Sequence, residues 1–247
     1  MAENPAERIA RSYFESEKVV SHYFGEGQRV GLWNSEEFLF KQVFSVSERL
    51  LDLGCGTGRI AFGLEAMGYK QVEAADFSTG MIEGAKQIAE SLGSKLTFQC
   101  ADARYLPWKS GCFDGVIFGF NGFFMIPGGK ERLRALTEIY RVLKSGGRFI
   151  FTGHDRLLSN QKRHWSKEEP DWTKNVQDKR KTDFGDVIED TELGTMFIHC
   201  TDQAETETLM KSVGFTHIES WSRRELSNET ARVRNFSDEC RFWKAEK

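Results

Sequence analysis

The stretch LLDLGCGTGRI, Leu50 to Ile60, decides how this chain folds. A short apolar run that ends in an acid leads into three closely spaced glycines and then into a helical pattern. Glycine adopts positive φ without strain and has no Cβ, so such a turn can lie against a ligand while the free N–H groups of the helix start face a negative group. Plain strand-to-helix connections also contain glycine, so a cofactor loop and a structural turn both remain open.

Bulk composition limits the class of protein. The 247 residues are 39% apolar and 13% aromatic, which predicts one large globular domain, 1–247. The net charge of -3 gives no reason to expect a nucleic-acid partner. The sequence carries no signal for the oligomeric state.

The cysteines and the amino terminus predict a cytoplasmic protein. Five cysteines are scattered without metal-ligand spacing, so we expect neither a disulfide nor a metal site. The amino terminus lacks an apolar export core, and no run approaches the roughly 18 apolar residues of a membrane span. No membrane partner is expected.

Strand and helix patterns alternate from about residue 49 to 152, which predicts a parallel sheet with helices on both faces. The expected strands cover 49–53, 71–75, 95–99, a run from Phe113, and 148–152. We expect 46–154 to form a cofactor-binding core behind a helical, aromatic-rich amino-terminal cap, 1–45.

The pattern changes beyond His154. The polar composition of 155–185 predicts a loop, either a cap over the site or a solvated insertion, and 155–200 is assigned to this insertion. A strand pair is expected at 186–200. In 201–247, a helix that begins near Asp202, with Glu205 placed as in a capping box, precedes two strands that complete the sheet.

Acids lie at the carboxyl ends of the first three predicted strands: Asp52 ends the first, Asp76 follows the second and Asp102 follows the third. Asp76 lies about 22 residues after Gly54, at the spacing from which a carboxylate binds both ribose hydroxyls. Asp102 and the backbone of Ala103 could read an adenine edge. Each acid alone also fits a turn or a helix cap.

Two common nucleotide sites are disfavoured. A dinucleotide loop would have its third glycine where this chain has Arg59, and a phosphate-binding P-loop would need Lys followed by Ser or Thr. A ligand with a nucleoside and a small charged tail, without pyrophosphate, remains.

Five segments, taken together and in this order, make the chain resemble the class I S-adenosylmethionine-dependent methyltransferases, particularly their small-molecule branch. They are LLDLGCGTG, AADFSTGMIEGAK, CADARYLPW, FDGVIFGFNG and RVLKSGGRFIFT, within roughly 49–152. The two ends match only in general layout. The resemblance implies an α/β fold with a Rossmann-like, doubly wound, seven-stranded sheet, mostly parallel with its last strand antiparallel.

The resemblance also implies S-adenosylmethionine as the cofactor and a set of residues that bind it. Gly54 and Gly56 would approach its methionine part, with Asp52 supporting the loop near its amino group. Asp76 would bind the ribose and Phe77 would pack on the adenine. The expected donor site is Asp52, Gly54, Cys55, Gly56, Asp76, Phe77, Met81, Asp102, Ala103 and Asn121.

Methyl transfer to a small-molecule acceptor by in-line displacement is the leading interpretation. His154, just past the fifth strand, is a candidate general base, and Asn121 a candidate for holding the acceptor. Four further residues could face the donor or acceptor, although core packing explains them as well: Tyr13, Tyr23, Trp33 and His199.

Two rival interpretations stay open. One is a methyltransferase for RNA or protein that uses a basic set, whose interleaved acids argue against it: Lys162, Arg163, Lys179, Arg180 and Lys181. The other is a non-catalytic protein that binds S-adenosylmethionine and has lost its acceptor site.

Overall fold

The computed structural model of the protein describes residues 4–157 and 162–247, apart from the side chains of Lys162 and Arg163. Its amino-terminal part is helical. Asn4 caps the first helix by accepting a hydrogen bond from the N–H of Ala6 at 3.0 Å, and Pro5 occupies the first helical position. The elements are α1 (Pro5–Glu15), α2 (Glu17–His22), a π-helical turn (Tyr23–Gly27), α3 (Gln28–Val30) and α4 (Asn34–Val43).

Strands and helices then alternate as the sequence predicts. Ser78 caps α6 and Gly93, with φ of 65°, ends it. These elements are β1 (Arg49–Leu53), α5 (Arg59–Ala66), β2 (Gln71–Asp76), α6 (Thr79–Leu92), β3 (Thr97–Cys100), β4 (Phe113–Phe118), a 3-10 turn (Gly122–Met125), α7 (Gly129–Val142) and β5 (Leu143–Gly153).

The carboxyl-terminal part adds a hairpin and the last two strands of the sheet. The hairpin, β6 with β7, forms a separate two-stranded sheet. The elements are α8 (Lys162–Thr173), β6 (Asp186–Thr191), β7 (Gly194–His199), α9 (Gln203–Val213), β8 (Thr216–Ser222), α10 (Arg223–Leu226), α11 (Ala231–Phe236) and β9 (Arg241–Glu246). No helix within the described ranges is both long and apolar enough to cross a membrane.

The main sheet has the order β3-β2-β1-β4-β5-β9-β8, in which β9 runs antiparallel to both of its neighbours. The predicted seven-stranded, doubly wound fold is therefore confirmed. The strand order reverses between β1 and β4, which pair in parallel through Leu50 and Gly115. Open α/β sheets bind their ligands beside such a reversal point.

Two hydrophobic cores cover the two faces of this sheet. Leu50 and Ile117 lie in one core, whereas their neighbours Leu51 and Val116 lie in the other, and all four are fully buried. Successive strand residues point to opposite faces, so strands buried on both sides are apolar throughout. The central strands are thereby held rigidly at the edge where the site forms.

The prediction of a loop over 155–185 is wrong for α8. Trp165 is buried in this helix, and its ring centroid lies 5.7 Å from that of Phe184; Trp172, two turns later on the same face, lies 5.9 Å from Phe184. The other side chains of α8 are polar, and Pro170 interrupts its pattern. Two aromatic contacts thus stabilise a helix that its composition conceals.

One strand boundary and one helix cap also differ from the prediction. β5 begins at Leu143, because Leu143 already pairs with Phe113 before an irregularity in the register. The capping box at α9 is only half formed: Asp202 accepts from the N–H of Glu205 at 2.8 Å, but the Glu205 carboxylate turns to other partners.

Candidate functional site

A cavity of about 1230 Å³, partly continuous with solvent, lies at the carboxyl ends of β1 to β4. The loop that follows β1 forms its floor, and residues that follow β2, β3 and β4 form its walls. The amino-terminal helices cover it. The cavity therefore occupies the reversal point at which a doubly wound sheet binds ligands.

The glycine loop has the backbone that the sequence predicts. Gly54, Gly56 and Gly58 have φ values of 66°, 53° and 90°. A Cβ at Gly54 would overlap the ring of Phe118, whereas a Cβ at Gly56 would meet only the Met81 sulfur at 4.0 Å. Gly54 thus lets the loop pack against β4, and Gly56 leaves room for a ligand.

Asp52 ends β1 beneath this loop and is buried. Its Oδ2 accepts from the N–H of Ala61 at 3.0 Å, while Oδ1 has no hydrogen-bond partner. Burial raises the pKa of Asp52 to about 8, although the charge of Arg59 opposes that shift. An unpartnered buried oxygen in a cavity wall suits a ligand that donates a hydrogen bond there.

Asp76 ends β2 and lines the same cavity. Its two oxygens accept from the N–H groups of Gly56 and Ser78, each at 2.9 Å. Burial raises the pKa of Asp76, and these N–H bonds oppose that shift. A carboxylate has about four lone-pair sites, so the geometry leaves acceptor capacity for a ligand while fixing the carboxylate against the loop.

Asp102, after β3, is bound by its neighbour Arg104. The guanidinium contacts both carboxylate oxygens, at 2.7 to 3.1 Å. Burial favours a higher pKa for Asp102, but the hydrogen bonds and charge of Arg104 outweigh it and lower the pKa. Asp102 and Ala103 both line the cavity, as do Phe77 and Met81.

Arg59, considered in the sequence only as a departure from the dinucleotide pattern, is a cavity residue. It forms a buried, two-bonded ion pair with Glu36, at 2.6 and 2.7 Å. Trp33 is fully buried behind this pair, with the guanidinium carbons of Arg59 and Arg223 at 5.1 and 5.2 Å from its ring centroid. Trp33 does not line the cavity, so its predicted role facing the donor is corrected to packing.

The two candidate tyrosines differ. Tyr23, in the π-helical turn, lines the cavity and meets the ring of Phe120 at 5.9 Å. Burial raises the pKa of its hydroxyl well above the usual range. Tyr13, in α1, instead packs with Val19 and Met81 and does not line the cavity.

Asn121 and His154 contact each other behind the cavity wall. Asn121 has φ of 61°, and its Nδ2 donates to His154 Nε2 at 3.1 Å. The Nδ1 of His154 donates to the carbonyl of Glu239 at 3.1 Å, and burial lowers the pKa of His154. Because both ring nitrogens are engaged and neither residue lines the cavity, the predicted general base is corrected to a neutral imidazole that holds Asn121.

His199 does not face the cavity. It is fully buried in β7, with Nδ1 at 2.8 Å from Asp186 and Nε2 at 2.8 Å from Glu205. Two carboxylates therefore hold the ring between the hairpin and α9. Sequence position alone could not separate this structural role from a site role.

Several cavity residues escaped the sequence analysis. Phe120 has positive φ, and the flanking glycines of FGFNG were the one local signal for such a turn. The cavity residues of α1 and Phe236 had no local signal in the sequence, because they reach the site from distant parts of the chain. The unpredicted lining residues include Glu7, Ala10, Arg11, Phe14, Arg104, Phe120, Met125, Ile126, Pro127 and Phe236. No group of potential metal ligands occurs in the part of the chain that is described.

The strand order, the glycine loop and the acids around it define a Rossmann-like nucleoside-binding fold. Residues 50–147 match a family model described as a methyltransferase domain. This segment is therefore similar in sequence to methyltransferase domains, and that likeness supports S-adenosylmethionine as the cofactor.

Known proteins that resemble this chain in sequence or in fold are also methyltransferases by name. A demethylmenaquinone methyltransferase of Symbiobacterium thermophilum is 34% identical over 154 residues, 58% of either chain. Another, of Thermus thermophilus, is 41% identical over 106 residues, which are 42% of this chain and 46% of the relative. The match thus spans about half the length of these relatives. The structure of an S-adenosylmethionine-dependent methyltransferase of Methanosarcina mazei aligns with a TM-score of 0.67 at 20% identity, over 85% of this chain and 96% of that one.

Proposed function

We propose that the protein transfers a methyl group from S-adenosylmethionine to a small, uncharged, apolar acceptor. The observation that carries this proposal is the convergence of the glycine loop, Asp52, Asp76 and Asp102 on one cavity that several aromatic side chains also line. The donor supplies an activated methyl group, which leaves its sulfur as the bond to the acceptor forms.

The donor end has a complementary group for each part of the ligand. Asp52 Oδ1, which is unpartnered, would accept from the donor's ammonium group over the loop. Asp76 would accept from the ribose hydroxyls with its free lone pairs. Asp102 and the N–H of Ala103 would read the adenine edge, with Phe77 against the ring.

The opposite end of the cavity, called here the aromatic end, consists of Tyr23, Phe120, Met125, Ile126 and Phe236. The ring centroids of Phe120 and Phe236 lie 5.1 Å apart, and Tyr23 adds the one ionisable side chain of this set. A cationic amine would find no carboxylate among these residues. An uncharged ring suits this wall, which agrees with the quinone substrate in the names of the relatives.

Positioning would account for most of the rate. Aligning acceptor and methyl group in one cavity can supply up to about 7 to 11 kcal/mol. The raised pKa of Tyr23 keeps its hydroxyl protonated, so it would donate a hydrogen bond to an acceptor oxygen rather than take up a proton. The acceptor's proton would pass to water at the open side.

The ion pairs of the basic residues between 162 and 181 argue against an RNA or protein acceptor. Arg180 pairs with Asp178 at 2.6 Å and Lys181 with Glu168 at 2.8 Å, so two of these cations are already neutralised. The side chains of Lys162 and Arg163 lie outside the described residues.

The proposal of a cytoplasmic location is supported by the five scattered cysteines, none of which is paired.

The decisive experiment is incubation of the protein with methyl-labelled donor and cell extract, followed by separation into small-molecule, RNA and protein fractions. We expect label in apolar small molecules, and none with the Asp76→Ala variant. Label in RNA or protein would support the first rival. Label in no fraction from several extracts, despite donor binding, would support a non-catalytic binding protein.

A further inference from the structure

Helix α1 forms a roof over the donor end of the cavity. Glu7, Ala10, Arg11 and Phe14 line the cavity from this helix. Its buried cluster with the hairpin consists of two alanines and Phe197. Tyr13 of α1 packs with Val19 and Met81 in a second small cluster, so the helix rests on two small clusters outside the two cores of the main sheet.

Arg104 adds a polar attachment to these apolar contacts of α1. Its Nη1 lies 2.6 Å from Glu7 of α1 and 3.2 Å from Glu131 of α7, while its Nε and Nη2 hold Asp102. One mostly buried guanidinium, with a side chain 15% exposed, thus joins the roof, the cavity wall and a neighbouring helix. The carboxylates of Glu7 and Asp102 both line the cavity.

We propose that Arg104 is a positioning residue that holds α1 closed over the adenine end, so that donor binding and docking of α1 are coupled. This inference rests on the proposed donor site. A ligand enclosed there contacts α1 above and the Asp102 segment below, so it binds the closed state better and shifts α1 toward it. Because a docked α1 covers the adenine end of the ligand, opening of α1 would limit the rate at which the ligand dissociates.

Loss of the Glu7–Arg104 ion pair would let α1 open without unfolding the domain. Other polar contacts of α1 do not depend on Arg104: Ser78 Oγ donates to the carbonyl of Phe14 at 2.8 Å, and the Tyr13 hydroxyl hydrogen-bonds Thr191 of the hairpin. The Phe14 and Phe77 rings meet edge to face at 6.0 Å. Release of Glu7 from Arg104 removes the link nearest the adenine end.

The test uses the full chain and S-adenosylhomocysteine as the probe. Calorimetry first measures binding, and stopped-flow displacement then measures dissociation for the wild type, Glu7→Gln and Glu17→Gln. Glu17 is an exposed acid of α2, so its variant matches the change in charge. We expect Glu7→Gln to dissociate about 5-fold faster and Glu17→Gln to behave as the wild type.

Two further readouts separate coupling from general destabilisation. Hydrogen exchange of the α1 amides should slow when the probe binds, and added salt should speed dissociation from the wild type more than from Glu7→Gln. Equal dissociation rates for wild type and Glu7→Gln, or α1 exchange that ignores the probe, would overturn the role of Arg104 while leaving the donor site standing. Absence of binding to the wild type would overturn both.

Discussion

At the scale of single residues, two buried carboxylates at neighbouring strand ends have different surroundings. Asp76 has a backbone N–H on each oxygen, whereas Asp52 keeps one oxygen without a partner. An unpaired buried carboxylate costs stability, so its presence at a ligand site indicates a role in binding rather than in folding.

Replacement of Asp52 by Asn should stabilise the empty protein at alkaline pH. The pKa of Asp52 rises from its unfolded value to about 8 in the folded protein. The folded state therefore binds this proton more tightly, and the contribution of Asp52 to stability falls as pH rises from about 4 to about 8. We expect Asp52→Asn to exceed the wild type by about 1 to 3 kcal/mol near pH 8, with a smaller difference near pH 5, and to bind the donor more weakly. Urea unfolding at both pH values measures this, and a variant that is less stable at both would contradict it.

Asp76→Ala should weaken binding of S-adenosylmethionine by roughly 1.5 to 3 kcal/mol, the usual size of hydrogen bonds to a charged group. Isothermal calorimetry measures the change. Asp178→Ala, at an exposed acid paired with Arg180, is the matched control and should leave the affinity unaltered. If Asp76→Ala binds as tightly as the wild type, Asp76 does not contact the donor.

At the scale of elements, the strands of the main sheet were easier to predict from the sequence than the structure of the 155–200 insertion. β1 matches its predicted bounds, because an apolar run followed by glycines is a local signal. Helix α8 escaped prediction, because only two aromatic residues on one face mark it. The hairpin was expected, but its attachment through His199 to α9 depends on packing between distant segments.

That attachment should make the hairpin sensitive to acid. Burial alone would raise the pKa of Glu205, but His199 and Arg156 outweigh it and lower the pKa to about 2. Because the folded pKa lies below the unfolded value, this stabilisation is present above about pH 4.3 and is lost as pH falls toward 2. His199→Gln should cost about 1 to 3 kcal/mol at neutral pH, because it removes the contacts of the ring with Asp186 and Glu205, and should reduce the acid sensitivity. Unfolding at several pH values tests this, with Glu207→Gln at an exposed pair as control.

At the scale of the whole molecule, the cavity joins parts of the chain that are far apart in sequence. The glycine loop and Asp76 come from the core, while Phe14 and Phe236 come from opposite ends of the chain. A ligand that bridges these parts stabilises the folded state as one unit.

Saturation with S-adenosylhomocysteine should therefore raise the melting temperature. At a concentration about 100 times the dissociation constant, the gain is about 2.7 kcal/mol, or roughly 5 to 10 °C for a domain of this size. NAD should give no shift, because Arg59 replaces the third glycine of a dinucleotide loop. Thermal unfolding with both ligands distinguishes them, and an equal shift with NAD would refute the assignment of the cavity.

The sequence by itself determined the sheet, the glycine loop and the acids after β1, β2 and β3. These follow from signals within a few residues: hydrophobic period, positive φ at glycine, and polar groups at strand ends. Tertiary structure alone decided which other side chains reach the cavity. It placed His154 and His199 behind the wall, put α1 over the donor end and brought Phe236 to the aromatic end, because side-chain direction and long-range packing depend on contacts that no local pattern records.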